Sequence, residues 1–232
     1  MRRALGFTLA AAFMFVAAVP AAHQKAVFCG DNPDVHPPAM LVPVDEAAAQ
    51  PDFFTFRARL QVAVAARDVD AVMAAAAPNV RLGFGGDDGT QRLRQSLSGE
   101  TAAPFWTSIA RVLAHGGAFT SGTFQAPYYY ARWPRGADAF ECSAILGHGV
   151  NVRGGPRPDA PVVATANYEL VRHSVSGLSV PTDGWTGWTA VEMRNGRRGY
   201  VRNDYLGSPI GLRASFNRVN GQWRLTALVA GD

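Results

Sequence analysis

Val150 and Val152 alternate with Asn151 and Arg153, and Gly154, Gly155 and Pro156 end the run at once. A period of two puts the valines on one face of a strand and the polar pair on the other, and so short a strand holds only as a member of a larger sheet. The rhythm continues with Val162 and Val163, Leu170 and Val171, a run from Trp188 to Val191, a turn at Gly196, a run from Gly199 to Val201, and Leu206. Closely spaced short strands cut by glycine and proline predict a small all-β unit with valine and leucine at its centre.

The order of those elements, V-N-V-R, a tight Gly/Pro turn, W-x-x-V and then G-Y-V, resembles the bacterial SH3-like (SH3b) domain over residues 147–207. The resemblance implies a small barrel, a partner in the cell envelope such as a peptidoglycan peptide or another envelope protein, and a groove lined by exposed aromatics. The positions matching those aromatics are Trp188, Tyr200 and Tyr205. Asn151 and Arg153 face solvent on the first strand if the valines point inward, and the Arg153 fork suits a peptide carboxylate. Two features depart from the family: Gly154 stands where serine is usual, and His173 to Gly187 is a longer polar loop, carrying Trp185.

Arg2 and Arg3, the apolar run Leu5 to Val19 and the small residues around Ala21 read as a secretory signal peptide over 1–21. The run is shorter than the ~20 residues of a bilayer span, so the expectation is a periplasmic or secreted protein that is not membrane-embedded. Cys29 lies too far from the run for a lipoprotein. In an oxidising compartment the two cysteines, Cys29 and Cys142, are expected to pair. That bond would pin the segment 22–50, which is rich in proline and alanine and has no periodicity.

From Pro51 the spacing changes. Phe53, Phe56, Leu60, Ala63 and Val64 fall on one helix face, with Arg57, Arg59 and Arg67 largely off it. Asp68 and Asp70 are expected at capping positions of a second short helix, which Pro78 should end, and Val80, Leu82 and Phe84 alternate as a strand. Asp87 and Asp88 sit in a glycine-rich turn without calcium-loop spacing. A third helix fits Phe105, Trp106, Ile109, Val112 and Leu113, up to Gly116 and Gly117. Tyr128, Tyr129 and Tyr130 cannot all face one core on a strand; the two readings are an aromatic binding surface and an interface with the β unit.

Asn220-Gly221 between Phe216–Val219 and Gln222–Val229 predicts a type I′ hairpin in which Arg218 faces Trp223 and Phe216 faces Leu225. Trp223, Leu225, Ala227 and Val229 then share a face, expected to pack on Phe56, Leu60 or Phe84. This ending, with the helical start, is similar to nuclear-transport-factor-2-like cone folds. The fold expected is therefore an α+β body, residues 51–146 plus 208–232, with an SH3-like barrel at 147–207 inserted before the C-terminal hairpin.

Several classes are excluded. Nearly half of the 232 residues are hydrophobic and 17% are charged, as in a globular chain. A net charge of +4 without clustered cations argues against nucleic acid. Glu141-Cys142-Ser143 resembles the D-C-S of NlpC-type peptidases, but the strand unit begins eight residues later and the available histidine, His173, lies inside it. Neither zinc spacing nor a cofactor motif is present. The reading is a non-catalytic binding protein of the envelope that needs no cofactor and uses Trp188, Tyr200, Tyr205, Asn151 and Arg153. The alternatives are a small-ligand binder or enzyme with its pocket in the α+β body and the β unit as accessory, or a structural partner in an envelope complex. The sequence leaves the oligomeric state open.

Overall fold

The computed structural model describes residues 28–30, 40–86, 88–100, 102–173 and 187–231. The expected signal peptide over 1–21, much of segment 22–50, Asp87 and Trp185 lie outside the described residues. The protein is α+β, with two mostly antiparallel sheets.

The body begins with helix α1 (Pro51–Ala65), which has proline in its first turn, where a missing N–H costs nothing. Helix α2 (Val69–Ala75) is capped by Asp68, whose carboxylate accepts from the Ala71 amide at 2.9 Å; Asp70 pairs instead with Arg94. Strand β1 (Ala76–Arg81) starts two residues before Pro78 rather than after it, and as an edge strand it tolerates the proline. Helix α3 (Thr90–Ser98), which the sequence reading did not anticipate, precedes α4 (Ala102–Ala114). A hairpin of β2 (Ala118–Thr120) and β3 (Thr123–Ala126) leads to the short helix α5 (Tyr128–Ala131). The tyrosine run is thus helical, which lets Tyr128 and Tyr129 both be buried.

The chain then builds a second sheet from β4 (Cys142–Ile145), β5 (Val150–Arg153), β6 (Val162–Ala166), β7 (Leu170–Arg172), β8 (Trp188–Glu192), β9 (Arg198–Arg202) and β10 (Leu206–Gly207). It returns to the body as β11 (Arg213–Val219) and β12 (Gln222–Val229). The body sheet has the order β1-β12-β11-β3-β2, and the second sheet β10-β4-β7-β8-β9-β5-β6. Among the described residues no pairing joins β10 to β6, so the expected barrel takes the form of an open sheet. That sheet starts at Cys142, upstream of Gly147. Its core holds Val150, Val152, Val171, Val191, Val201 and Leu206, with Ile145 from β4. Gly199 is required where β9 crosses β5, because a Cβ there would lie 2.6 Å from the Arg153 carbonyl oxygen and 2.7 Å from Val152 Cγ1.

Asn220 and Gly221 both take positive φ, 51° and 79°, and the Arg218–Trp223 and Phe216–Leu225 pairings are formed. Further along, a bulge between Ser215 and Phe216 leaves Thr226 unpaired and flips the alternation. Leu228, not Ala227 or Val229, therefore joins Trp223 and Leu225 in the body core. Phe53 is the hub of that core, with ring centroids 4.3 Å from Phe124, 4.8 Å from Trp223 and 5.6 Å from Phe216. Phe84, expected there, is exposed, since the chain leaves the strand at Arg81. Arg57, expected off the buried face, is 5% exposed and makes two 2.7 Å bonds to the Asp45 carboxylate.

A third cluster lies at the seam of the two sheets and contains Leu41, Tyr128, Tyr129, Ala144 and Leu170, with Cys29 and Cys142. The two cysteines form a disulfide, with Cα atoms 5.8 Å apart and a separation of 113 positions in the sequence. Gly207 lies so close to Tyr129 that a Cβ would sit 2.9 Å from its ring. The interface reading of the tyrosines is thus the one the structure holds. Replacing both cysteines by serine is expected to lower stability by on the order of 3 to 5 kcal/mol, through the long loop the bond closes. Urea midpoints of the two proteins check this; equal midpoints would contradict it.

Candidate functional site

Four of the five residues singled out from the sequence line one groove of about 270 Å³ in the second sheet: Asn151, Arg153, Trp188 and Tyr205. Asn151 and Arg153 come from the solvent side of β5, Trp188 opens β8, and Tyr205 ends a 3-10 turn, Asn203–Tyr205. His148, Pro158 and Arg202 complete the wall and were not foreseen. A signal for Arg202 was available, because it pairs across the ladder with Trp188. Tyr200 is half-buried beside Arg153 on the neighbouring strand and lies outside the lining.

The charges in the groove differ in what they have left to offer. The guanidinium of Arg202 makes a two-pronged pair with Asp204, including a 3.0 Å bond from Nε, and lies 5.7 Å from the Tyr205 ring centre. Its charge is largely answered. Arg153 donates from Nη1 to the Ala160 carbonyl at 2.7 Å, which braces the turn after β5, and has no carboxylate partner among the described residues. It leaves a braced, half-buried fork beside two aromatic side chains. Such a site can take a carboxylate while covering an apolar or sugar face.

The turn that carries Tyr205 is held from the body. Arg111 on α4 directs Nη2 at the carbonyl oxygens of Asp204 at 2.8 Å, Leu206 at 2.9 Å and Asn203 at 3.4 Å. These contacts span more than ninety residues of sequence, and nothing local in the chain announces them. His115 stands one turn after Arg111, its Nδ1–H donating to the Arg111 carbonyl at 2.8 Å and its ring edge-on to Tyr129. Replacing Arg111 by methionine is expected to free the turn. The Leu146 amide, which donates to the Tyr205 carbonyl at 2.9 Å, should then exchange with deuterium faster than in the parent protein.

No nucleophilic centre emerges from Glu141-Cys142-Ser143. Cys142 is in the disulfide and lies on a strand, so it offers no thiolate. Ser143 is buried, 3.0 Å from Nδ1 of His173, whose Nε2–H donates to the Phe140 carbonyl at 2.8 Å. Among the described residues no group of acidic, histidine and cysteine side chains could hold a metal ion. No helix among them is long and apolar enough to cross a membrane.

Burial holds both His173 and His115 below the ordinary 6.5, and for His115 the Arg111 charge adds to the effect. The unfolded chain takes up these protons first on acidification, so stability is full above pH 6.5 and falls as the pH drops through it toward the folded values. Glutamine at both positions should flatten the stability curve as the pH falls below 6.5, measured by urea midpoints. An unchanged slope would contradict the assignment.

No protein-family model and no curated protein matches the chain. Among solved structures it is similar to a chain designated Rd1NTF2_05, at 12% identity and a TM-score of 0.28, over 76% of this chain and 93% of that one. It is also similar to a protein of unknown function with a cystatin-like fold from Nostoc punctiforme PCC 73102, at 15% identity and a TM-score of 0.25, over 79% and 90%.

Proposed function

We propose that this chain is an exported, non-catalytic binding protein of the cell envelope. In this reading residues 147–207 act as a bacterial SH3-like module that engages peptidoglycan peptides or an envelope protein through the groove. The observation that carries the reading is the meeting of Asn151, Arg153, Trp188 and Tyr205 in one cleft where Arg153 has no acidic partner among the described residues. Export is supported by the basic and apolar leader pattern and by the disulfide. A stem peptide offers the two things such a groove can hold: a planar carboxylate for the Arg153 fork, and an apolar stretch for Trp188 and Tyr205. Tyr and Trp suit this work because they bury much area while losing little conformational freedom.

The test is retention of the purified protein on insoluble peptidoglycan. Trp188→Ala and Arg153→Lys should each weaken retention by about tenfold or more, the lysine keeping the charge and losing the fork. Melting temperatures serve as the control for Trp188, which also contributes to β8. Wild-type retention by both variants, or none by the parent protein, would remove the peptidoglycan reading.

A further inference from the structure

The body contains a larger cavity than the groove, about 460 Å³, within the range of small-molecule sites. Leu82 and the backbone of Gly83 and Gly85 form one side, Ser96 and Arg92 of α3 and Phe105 and Ser108 of α4 another, and Leu212, Leu228 and Ala230 the rest. The wall is mainly apolar. Leu228 reaches it because the Thr226 bulge inverts the end of β12; a regular strand would have turned it to the outer face.

The polar side chains of the lining are few, two serines and one arginine. The Ser96 hydroxyl donates to the Arg92 carbonyl at 3.2 Å and the Ser108 hydroxyl to the Pro104 carbonyl at 2.9 Å, so neither proton is free for a ligand. Among the described residues Arg92 is the cation of the lining, and no carboxylate of theirs lines the cavity. Arg94, two residues on, is paired with Asp70, whereas Arg92 has no acidic partner among the described residues. A solitary guanidinium at the edge of an apolar hollow favours a molecule with one acid group and an apolar remainder, since the acid is held by charge-assisted bonds and the rest leaves water.

We infer that this cavity binds a small amphipathic monoanion, with its acid group on Arg92 and its apolar part against Leu82, Phe105, Leu212 and Leu228. The site is separate from the groove, and either can exist without the other.

The experiment uses the full chain with 1-anilinonaphthalene-8-sulfonate, followed by fluorescence and displaced by decanoate, decanol or decyltrimethylammonium. Decanoate should displace the dye at a concentration about tenfold or more below that needed for the other two, as a charge-assisted bond predicts. Arg92→Gln should erase that preference while leaving decanol unchanged. Gly85→Trp should exclude the dye: a Cβ at Gly85 meets nothing within 4 Å, so the substitution is compatible with the fold and places a ring at the rim. Ser108→Leu, which fills the space from α4, should exclude it as well. Peptidoglycan retention by these variants should equal that of the parent. Equal displacement by decanoate and decanol, undiminished dye binding in both filling variants, or no dye binding by the parent protein would overturn the inference.

Discussion

The Cys29–Cys142 bond joins the amino-terminal segment to the first strand of the second sheet, at the seam where that sheet meets the body. The chain passes between the two sheets only after β3 and before β11, and two covalent connections leave their relative orientation open. Burial at the seam closes that freedom. Tyr128 and Tyr129 pack with Leu41, Ala144 and Leu170 around the cross-link, and Gly207 admits the Tyr129 ring where any side chain would collide. Because the loop closed by the bond is so long, most of its effect falls on the unfolded chain, and the native seam is held by packing.

The groove depends on that seam. Its floor strand, β5, belongs wholly to the second sheet, but Tyr205 sits on a turn whose carbonyls converge on Arg111 of the body. Carbonyl oxygens crowded together repel one another, and one guanidinium holds them at bonding distance. Arg111 is positioned by α4, and α4 by the core that Phe53, Phe124, Phe216 and Trp223 build against the hairpin. The aromatic core of one sheet thereby sets the shape of a cleft in the other. Arg57 shows the same economy of charge: buried, it is paired through Nη1 and Nη2 with both oxygens of Asp45, where an unpaired guanidinium would be costly.

Some of this was legible because it is local. The Asn-Gly turn, the Asp68 cap, the alternating valines of β5 and the facing of Arg218 with Trp223 each follow from a few adjacent residues and the backbone geometry they prefer. Helix α3 escaped notice because it has only Leu93 and Leu97 to bury in nine residues. Strand β4 escaped because it is buried on both faces, Ile145 toward one core and Cys142 and Ala144 toward another, so it shows no polar alternation. The tyrosine run was ambiguous for a related reason: a single helical turn is too short to show its period.

By itself, the sequence determined the kinds of element and the chemistry of their faces: the helix with Phe53 and Leu60, the short valine strands, the closing hairpin, a pair of cysteines with no other partner, and the residues fit for a groove. Those properties rest on side-chain type and spacing along a few residues, which the chain carries wherever it is placed. Tertiary structure decided the open edge of the second sheet, the inversion of β12 at Thr226, the burial of Arg57 and the grip of Arg111 on the Tyr205 turn. Each of these balances groups far apart in the chain against one another, and their free energy exists only once the two sheets have met.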